Sequence, residues 1–300
     1  MIKKSITIPF IVAIILFSEL ANAQYMPLYI NKTTTNALPM MELKGKVKSV
    51  EQIAFVTKDS IGKVFKGVRK IDTNNFGIDF FIQFDMSARA TVEKYNYKES
   101  SLEIFHQYDN IKNTETVEEH PSHYKSGKIS NRTVYKYNKE GKVIQLDATG
   151  FYKDDSQSSS SKSIYKYNEK GNLAERTLFS PNSKPLKITY KYDSKGNMIS
   201  LTNFGEAGEI WGRETFKIDA NGNISEHAFC PVDTNTVEHS FTYKYDKNNN
   251  VIEKNYFKPG TTSKKYIYTY EYDKMGNWIK RTDFENDKAV LIAERKFEYY

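Results

Sequence analysis

Cysteine is almost missing from this sequence. Cys230 stands alone among 300 residues, so no disulfide within the chain can hold the fold together, whatever the redox compartment. Tryptophan is scarce, at two residues, and proline at eight. No apolar run reaches the roughly 20 residues that a membrane-crossing helix needs; the longest, Ile6 to Phe17, is interrupted by Thr7 and Pro9. Neither sign of charge is in short supply, with 44 Lys and Arg against 37 Asp and Glu. These are mixed along the chain, without the single-sign blocks of a polyanion-binding tail. No phosphate loop, dinucleotide fingerprint or serine elbow occurs.

The opening residues read as an export signal. Lys3 and Lys4 precede the apolar run, and Ala21-Asn22-Ala23 offers small residues where a signal peptidase cuts. We therefore read residues 1–23 as a signal peptide cleaved after Ala23, 24–42 as a mobile N-terminal segment, and 43–300 as the folded domain. Without Lys3, Lys4 and Glu19 the net charge falls from +7 to +6. A secreted or periplasmic protein is implied, not membrane-spanning after cleavage.

Aromatic residues are abundant, with 22 Tyr and 18 Phe, which favours half-buried pleated surfaces. They also recur. Tyr190-Lys191-Tyr192-Asp193-Ser194-Lys195-Gly196-Asn197-Met198 is the cleanest copy of a motif that returns from Tyr135, Tyr165, Phe216, Tyr243 and Tyr270. The second aromatic position falls at Tyr137, Tyr167, Tyr192, Ile218, Tyr245, Tyr272 and Tyr299, at spacings of 30, 25, 26, 27, 27 and 27 residues. Weaker copies lie at Tyr108-Asp109, Phe84-Asp85 and Lys58 to Val64, the last keeping Gly62. The longest spacing suggests a polar loop insertion at Ser156 to Ser161.

Asp-x-x-Gly is a hairpin turn. Its Asp caps the following backbone N–H groups, and its Gly takes the left-handed conformation that closes a type I turn with a bulge. The register then sets Tyr192 opposite Met198 and Lys191 opposite Ile199. Tyr192, Met198, Tyr245, Val251, Tyr272 and Trp278 should share a core face. The acids Glu175, Glu226 and Glu253 should lie on the face opposite the lysines.

The motif resembles the YD repeats of RHS-type proteins, over roughly residues 45 to 300. That resemblance implies hairpins winding into a long spiralling sheet, and it supplies fold more than function. The chain departs from the large toxin members: no protease segment or payload domain is recognisable among these 300 residues. It is more similar to small exported proteins whose folded part opens on a segment like Leu43 to Val50. The expected fold is all-β: tandem antiparallel β-hairpin repeats in a long, strongly twisted or spiralling open sheet. The half-repeats at Gly45-Lys46-Val47 and Phe297-Glu298-Tyr299 would complement one another in a closed ring, the alternative to that open sheet.

No catalytic constellation stands out. His120-Pro121-Ser122-His123 after Glu118 and Glu119 reads as a solvated loop rather than a metal site, since Pro121 forbids a helical pair. His227 and Cys230, three apart on a strand, face opposite ways. The turn Asp residues need no calcium. Aromatics in the core register cannot stack on bases, which argues against nucleic acid. Neither cofactor nor metal is expected. The reading is a non-enzymatic binding or scaffold module for a glycan or protein partner. The rivals are an enzyme acting on surface polymers and a purely structural envelope protein. Lys136, Lys166, Lys191, Lys217 and Lys244 form a row that could track an anionic ligand, or keep the sheet soluble.

Overall fold

Six turns follow the expected chemistry. In the turn at 193–197, the Asp193 N–H donates to the Asn197 carbonyl (2.9 Å), and Asp193 Oδ1 accepts from the N–H groups of Lys195 and Asn197. The same backbone bond closes the turns beginning at Asn138, Asn168, Asp219, Asp246 and Asp273, and in each the side-chain oxygen of that first residue accepts from the N–H four residues on. Gly171, Gly196, Gly222 and Gly276 have φ of 78, 89, 90 and 85°, and Asn249 fills that place with φ 65°. A Cβ on Gly196 would meet nothing closer than 3.8 Å, so any cost of substitution is conformational. Gly196→Val should destabilise the fold by about 1–2 kcal/mol, and Gly196→Asn by much less; urea unfolding of both variants checks this.

The computed structural model describes residues 43–60, 63–70, 79–98, 100–124, 127–231 and 236–300. The expected signal peptide, and Gly62 of the weakest repeat, lie outside them. The strands are β1 (Val47–Ser60), β2 (Lys63–Arg69), β3 (Phe80–Phe84), β4 (Ala90–Asn96), β5 (Ser101–Asp109) and β6 (Thr114–Pro121). Next come β7 (Asn131–Tyr137), β8 (Val143–Phe151), β9 (Gln157–Tyr167), β10 (Leu173–Phe179), β11 (Leu186–Tyr192), β12 (Met198–Phe204) and β13 (Ile210–Ile218). The last are β14 (Ile224–Pro231), β15 (His239–Tyr245), β16 (Val251–Phe257), β17 (Lys264–Tyr272), β18 (Trp278–Glu285) and β19 (Lys288–Tyr299).

From β3 to β19 each strand pairs antiparallel with the next, and the array closes. β19 pairs with β1 from Val47↔Tyr299 to Val56↔Leu291, and the first half of β1 pairs on its other side with β3, from Ser49↔Gln83 to Gln52↔Phe80. β2 pairs with the second half of β1 and stands outside the ring, so 18 of the 19 strands form a closed barrel. The open spiralling sheet implied by the YD/RHS resemblance is therefore overturned. The physical reason lies in the two half-repeats. Gly45 (φ 81°) and Tyr299 complete one repeat across the seam. The Asn277 amide donates to both the Lys44 carbonyl (2.8 Å) and the Tyr299 hydroxyl (2.8 Å), and the Tyr300 N–H donates to the Lys46 carbonyl (2.9 Å). Closure gives every described strand of the ring a partner on both sides.

Two further expectations change. Ser156 to Ser161 is not a loop insertion: β9 begins at Gln157 and absorbs the extra length as strand. A second bulge, one residue after the apolar position of most repeats, shifts the register. Lys191 therefore faces Ser200, not Ile199, and Lys166, Lys217 and Lys244 face Glu175, Glu226 and Glu253. The acids thus share the lysine face instead of opposing it.

The other face carries the aromatics. Tyr137, Val143, Leu173, Tyr190, Phe216, Tyr243, Val251 and Trp278 are buried there, while Tyr192, Met198, Tyr245 and Tyr272 are half-buried and Lys191 and Lys244 exposed. Side chains converge on the concave side of a closed sheet and splay on the convex side, so the more buried aromatic face lines the interior. The repeated tyrosine has a second task. Its hydroxyl reaches back to the preceding hairpin: Tyr167 donates to the Val143 carbonyl (2.7 Å), Tyr245 to the Ile224 carbonyl (2.7 Å), and Tyr272 and Tyr299 to the carboxylates of Asp246 and Asp273. Each such bond fastens one hairpin to the one before it, and Tyr299 extends the series to the seam.

Candidate functional sites on the two faces of the barrel

The lysine row occupies one level of the outer face, near the turns. Lys136 pairs with Asp147 (3.2 Å), Lys166 with Glu175 (2.9 Å), Lys217 with Glu226 (2.8 Å) and Lys244 with Glu253 (3.0 Å). The next hairpin reverses the polarity, with Lys280 on Glu271 (2.6 Å). Lys191 has no carboxylate partner among the described residues, since Ser200 faces it. The Lys166 hydrogen bond holds the Glu175 carboxyl below its ordinary range. Asn255 and then Lys244 do the same for Glu253. The row is a ladder of ion pairs in contact with water, each worth little to stability.

The interior holds two polar clusters that the sequence reading passed over. In the first, on β4 to β7, His106 Nδ1 lies 2.8 Å from Glu115 and Nε2 2.9 Å from Glu93. Glu115 is fully buried and also accepts from the Tyr137 hydroxyl. Each ring nitrogen thus has a carboxylate oxygen in hydrogen-bond reach, an arrangement in which an imidazolium would donate to both. Burial, and then Glu115, push the Tyr108 and Tyr137 hydroxyls far up. Burial, with Glu93 adding to it, raises the carboxyl of neighbouring Glu119. A signal for this cluster existed: His106 stands two residues before the core tyrosine Tyr108, and so on its face.

The second cluster centres on His227 of β14. Its ring stacks between Phe216 (4.9 Å, 15°) and Phe241 (5.9 Å, 20°), and its Nε2 meets Glu214 at 2.7 Å, while Nδ1 has no partner. Cys230, on the outer face opposite Arg213, is remote from this chemistry. Nearby Lys254 is 4% exposed and lies 4.6 Å over the Phe241 ring; burial brings its pKa down from 10.5 to about 8. Between these values the unfolded chain keeps a proton that the folded chain has released, so stability should rise with pH from about 8 towards 10. Above that, burial-raised tyrosines such as Tyr243 and Tyr270 reverse the trend, because the folded state then holds the extra protons. Lys254→Met should remove the rise, a contribution on the order of 3 kcal/mol; urea midpoints at pH 7 and 9.5 measure it.

His120 and Pro121 end strand β6, so they are not part of a loop; His120 packs edge-on against Phe105 (5.1 Å) and lies 3.7 Å from Glu118. Among the described residues no group of three His, Cys, Asp or Glu side chains converges to hold a metal ion.

No family model and no curated protein matches this chain. Among solved structures it is similar to a porin-like protein from Bacteroides uniformis at 11% identity and TM-score 0.44, covering 89% of this chain and 100% of that one. A porin-like protein from Bacteroides vulgatus is similar at 11% identity and TM-score 0.36, covering 85% of this chain and 98% of that one. The toxin structure TcdB2-TccC3-TEV is similar at 12% identity and TM-score 0.38, with 70% of this chain spanning 12% of that one. The barrel described above rests on the chain's own strand pairing.

Proposed function

We propose that this chain is an exported, water-facing barrel of the cell envelope that serves as a binding or scaffold module, without catalysis, for a glycan or protein partner. The observation that carries this reading is the outer wall. Its ion pairs stand on five of the six hairpins from β7 to β18, at Lys136–Asp147, Lys166–Glu175, Lys217–Glu226, Lys244–Glu253 and Lys280–Glu271, the β11–β12 hairpin with Lys191 being the exception. A lipid-facing wall requires an apolar band about 25 Å tall, and charges within it are destabilising. The leader-like residues 1–23 support export. The test is fractionation of cells making the full chain. Release in soluble form without detergent is expected; a requirement for detergent would overturn the water-facing wall. A glycan array and a pull-down then search for the partner. Loss of acidic-glycan binding in Lys166→Gln/Lys191→Gln/Lys244→Gln would assign the lysine row as the surface, and binding that survives would exclude the row.

A further inference from the structure

The two ends of the barrel differ. One is a continuous ladder of turns, with the paired charges just below it. At the other, β1 continues four residues past its last pair with β19, Val56↔Leu291, which is about 13 Å of extended chain. β2 folds back along this extension, from Ser60↔Lys63 to Thr57↔Lys66. The ring closes without β2, so this two-stranded finger adds nothing to closure. Yet it exposes apolar side chains: Phe65 is 50% and Val68 67% accessible. Residues 58–70 also carry Lys58, Lys63, Lys66, Arg69 and Lys70 against Asp59. Lys66 pairs with Glu294 (2.8 Å) and Arg69 with Asp79 (2.7 Å), while Lys58, Lys63 and Lys70 have no ion pair among the described residues. Towards the same end, the outer face exposes Phe179, Trp211 and Phe257, near Lys162 and Lys187, which have no ion pair among the described residues, although Lys187 lies 5.1 Å over the Phe204 ring.

We propose that the β1–β2 hairpin docks the barrel onto an anionic lipid surface. Unpaired cations alone would suit any polyanion. Exposed aliphatic and aromatic side chains among them match a surface that is anionic outside and apolar a few ångströms deeper. This inference goes beyond the proposed function, which names no lipid, and it keeps the barrel peripheral.

The test is co-sedimentation of the purified full-length mature chain with vesicles. Binding is expected to phosphatidylcholine vesicles containing one third phosphatidylglycerol, not to phosphatidylcholine alone, and to weaken as salt rises. Lys58→Gln/Lys63→Gln should weaken it by about fivefold per cation. Phe65→Ser/Val68→Ser should abolish it with the urea midpoint unchanged, since both side chains already face water. No binding to the anionic vesicles, or binding unchanged in Phe65→Ser/Val68→Ser, would overturn the proposal. So would binding to dextran sulfate but not to the vesicles. A carbonate wash keeps the two readings apart: a bound chain that it releases is peripheral, whereas one that resists it contradicts the water-facing wall itself.

Discussion

Trp278→Ala is expected to cost about 3–5 kcal/mol of unfolding free energy, as large truncations in packed cores do. Trp278 is 5% exposed and faces Tyr272 across its hairpin. It packs in one cluster with Ala54 of β1 and with Leu291 and Ala293 of β19. The Arg295 guanidinium lies 3.7 Å over its ring and also donates to Gln52 of β1 (3.0 Å). Removing the indole therefore empties the inner side of the seam and takes the stacking surface from the arginine that ties the last strand to the first. Trp278→Phe keeps much of the volume and should cost less than about 1.5 kcal/mol if the site repacks. Equilibrium urea unfolding measures both. A loss for Trp278→Ala below 1 kcal/mol would show that the seam does not depend on this packing.

His106→Leu should destabilise by a similar amount, about 3–5 kcal/mol, for a different reason. Leucine fills much of the space but removes the ring that hydrogen-bonds both Glu93 and Glu115. Breaking a buried pair by deleting one partner leaves uncompensated charge in a poor dielectric. The double variant Glu115→Gln/His106→Leu should recover part of the loss, because it removes the buried carboxylate along with its ring partner. Additive losses in a double-mutant cycle would show that the two side chains do not act as a unit.

The repeat made the hairpins legible. Asp or Asn, two variable residues and Gly dictate a turn, and the tyrosine and the apolar residue flanking it dictate the core face. Both are local chemistry, and both recur often enough to be seen. Closure is not local. Strand pairing at the seam uses backbone groups that every residue carries, so Val50↔Phe297 or Ala54↔Ala293 leaves no mark beyond the two half-repeats at the ends. Those half-repeats were visible, but the uneven spacing of the early copies, together with the YD/RHS resemblance, weighed towards an open spiral. The second bulge was invisible for a related reason. Ile144 and Ile199 look like ordinary strand residues, yet they are the extra residues in their hairpins and more than a third exposed. Missing the bulge put Glu175, Glu226 and Glu253 on the wrong face and hid the ion-pair ladder. It also hid the placing of His227, three residues after Ile224 yet on the same face. The interior charges were missed because the sequence reading treated the aromatic face as uniformly apolar, although Glu115 stands opposite the core tyrosine Tyr108.

Closure is tested most directly by cross-linking the seam. Glu51 and Lys296 are Cα partners on the outer face, close enough in an antiparallel pair for a disulfide. In a Cys230→Ala background, Glu51→Cys/Lys296→Cys should form an intramolecular disulfide in the folded, monomeric protein, read by mass and by faster migration on a non-reducing gel. A folded double variant that keeps both thiols free under oxidising conditions would contradict the closed barrel.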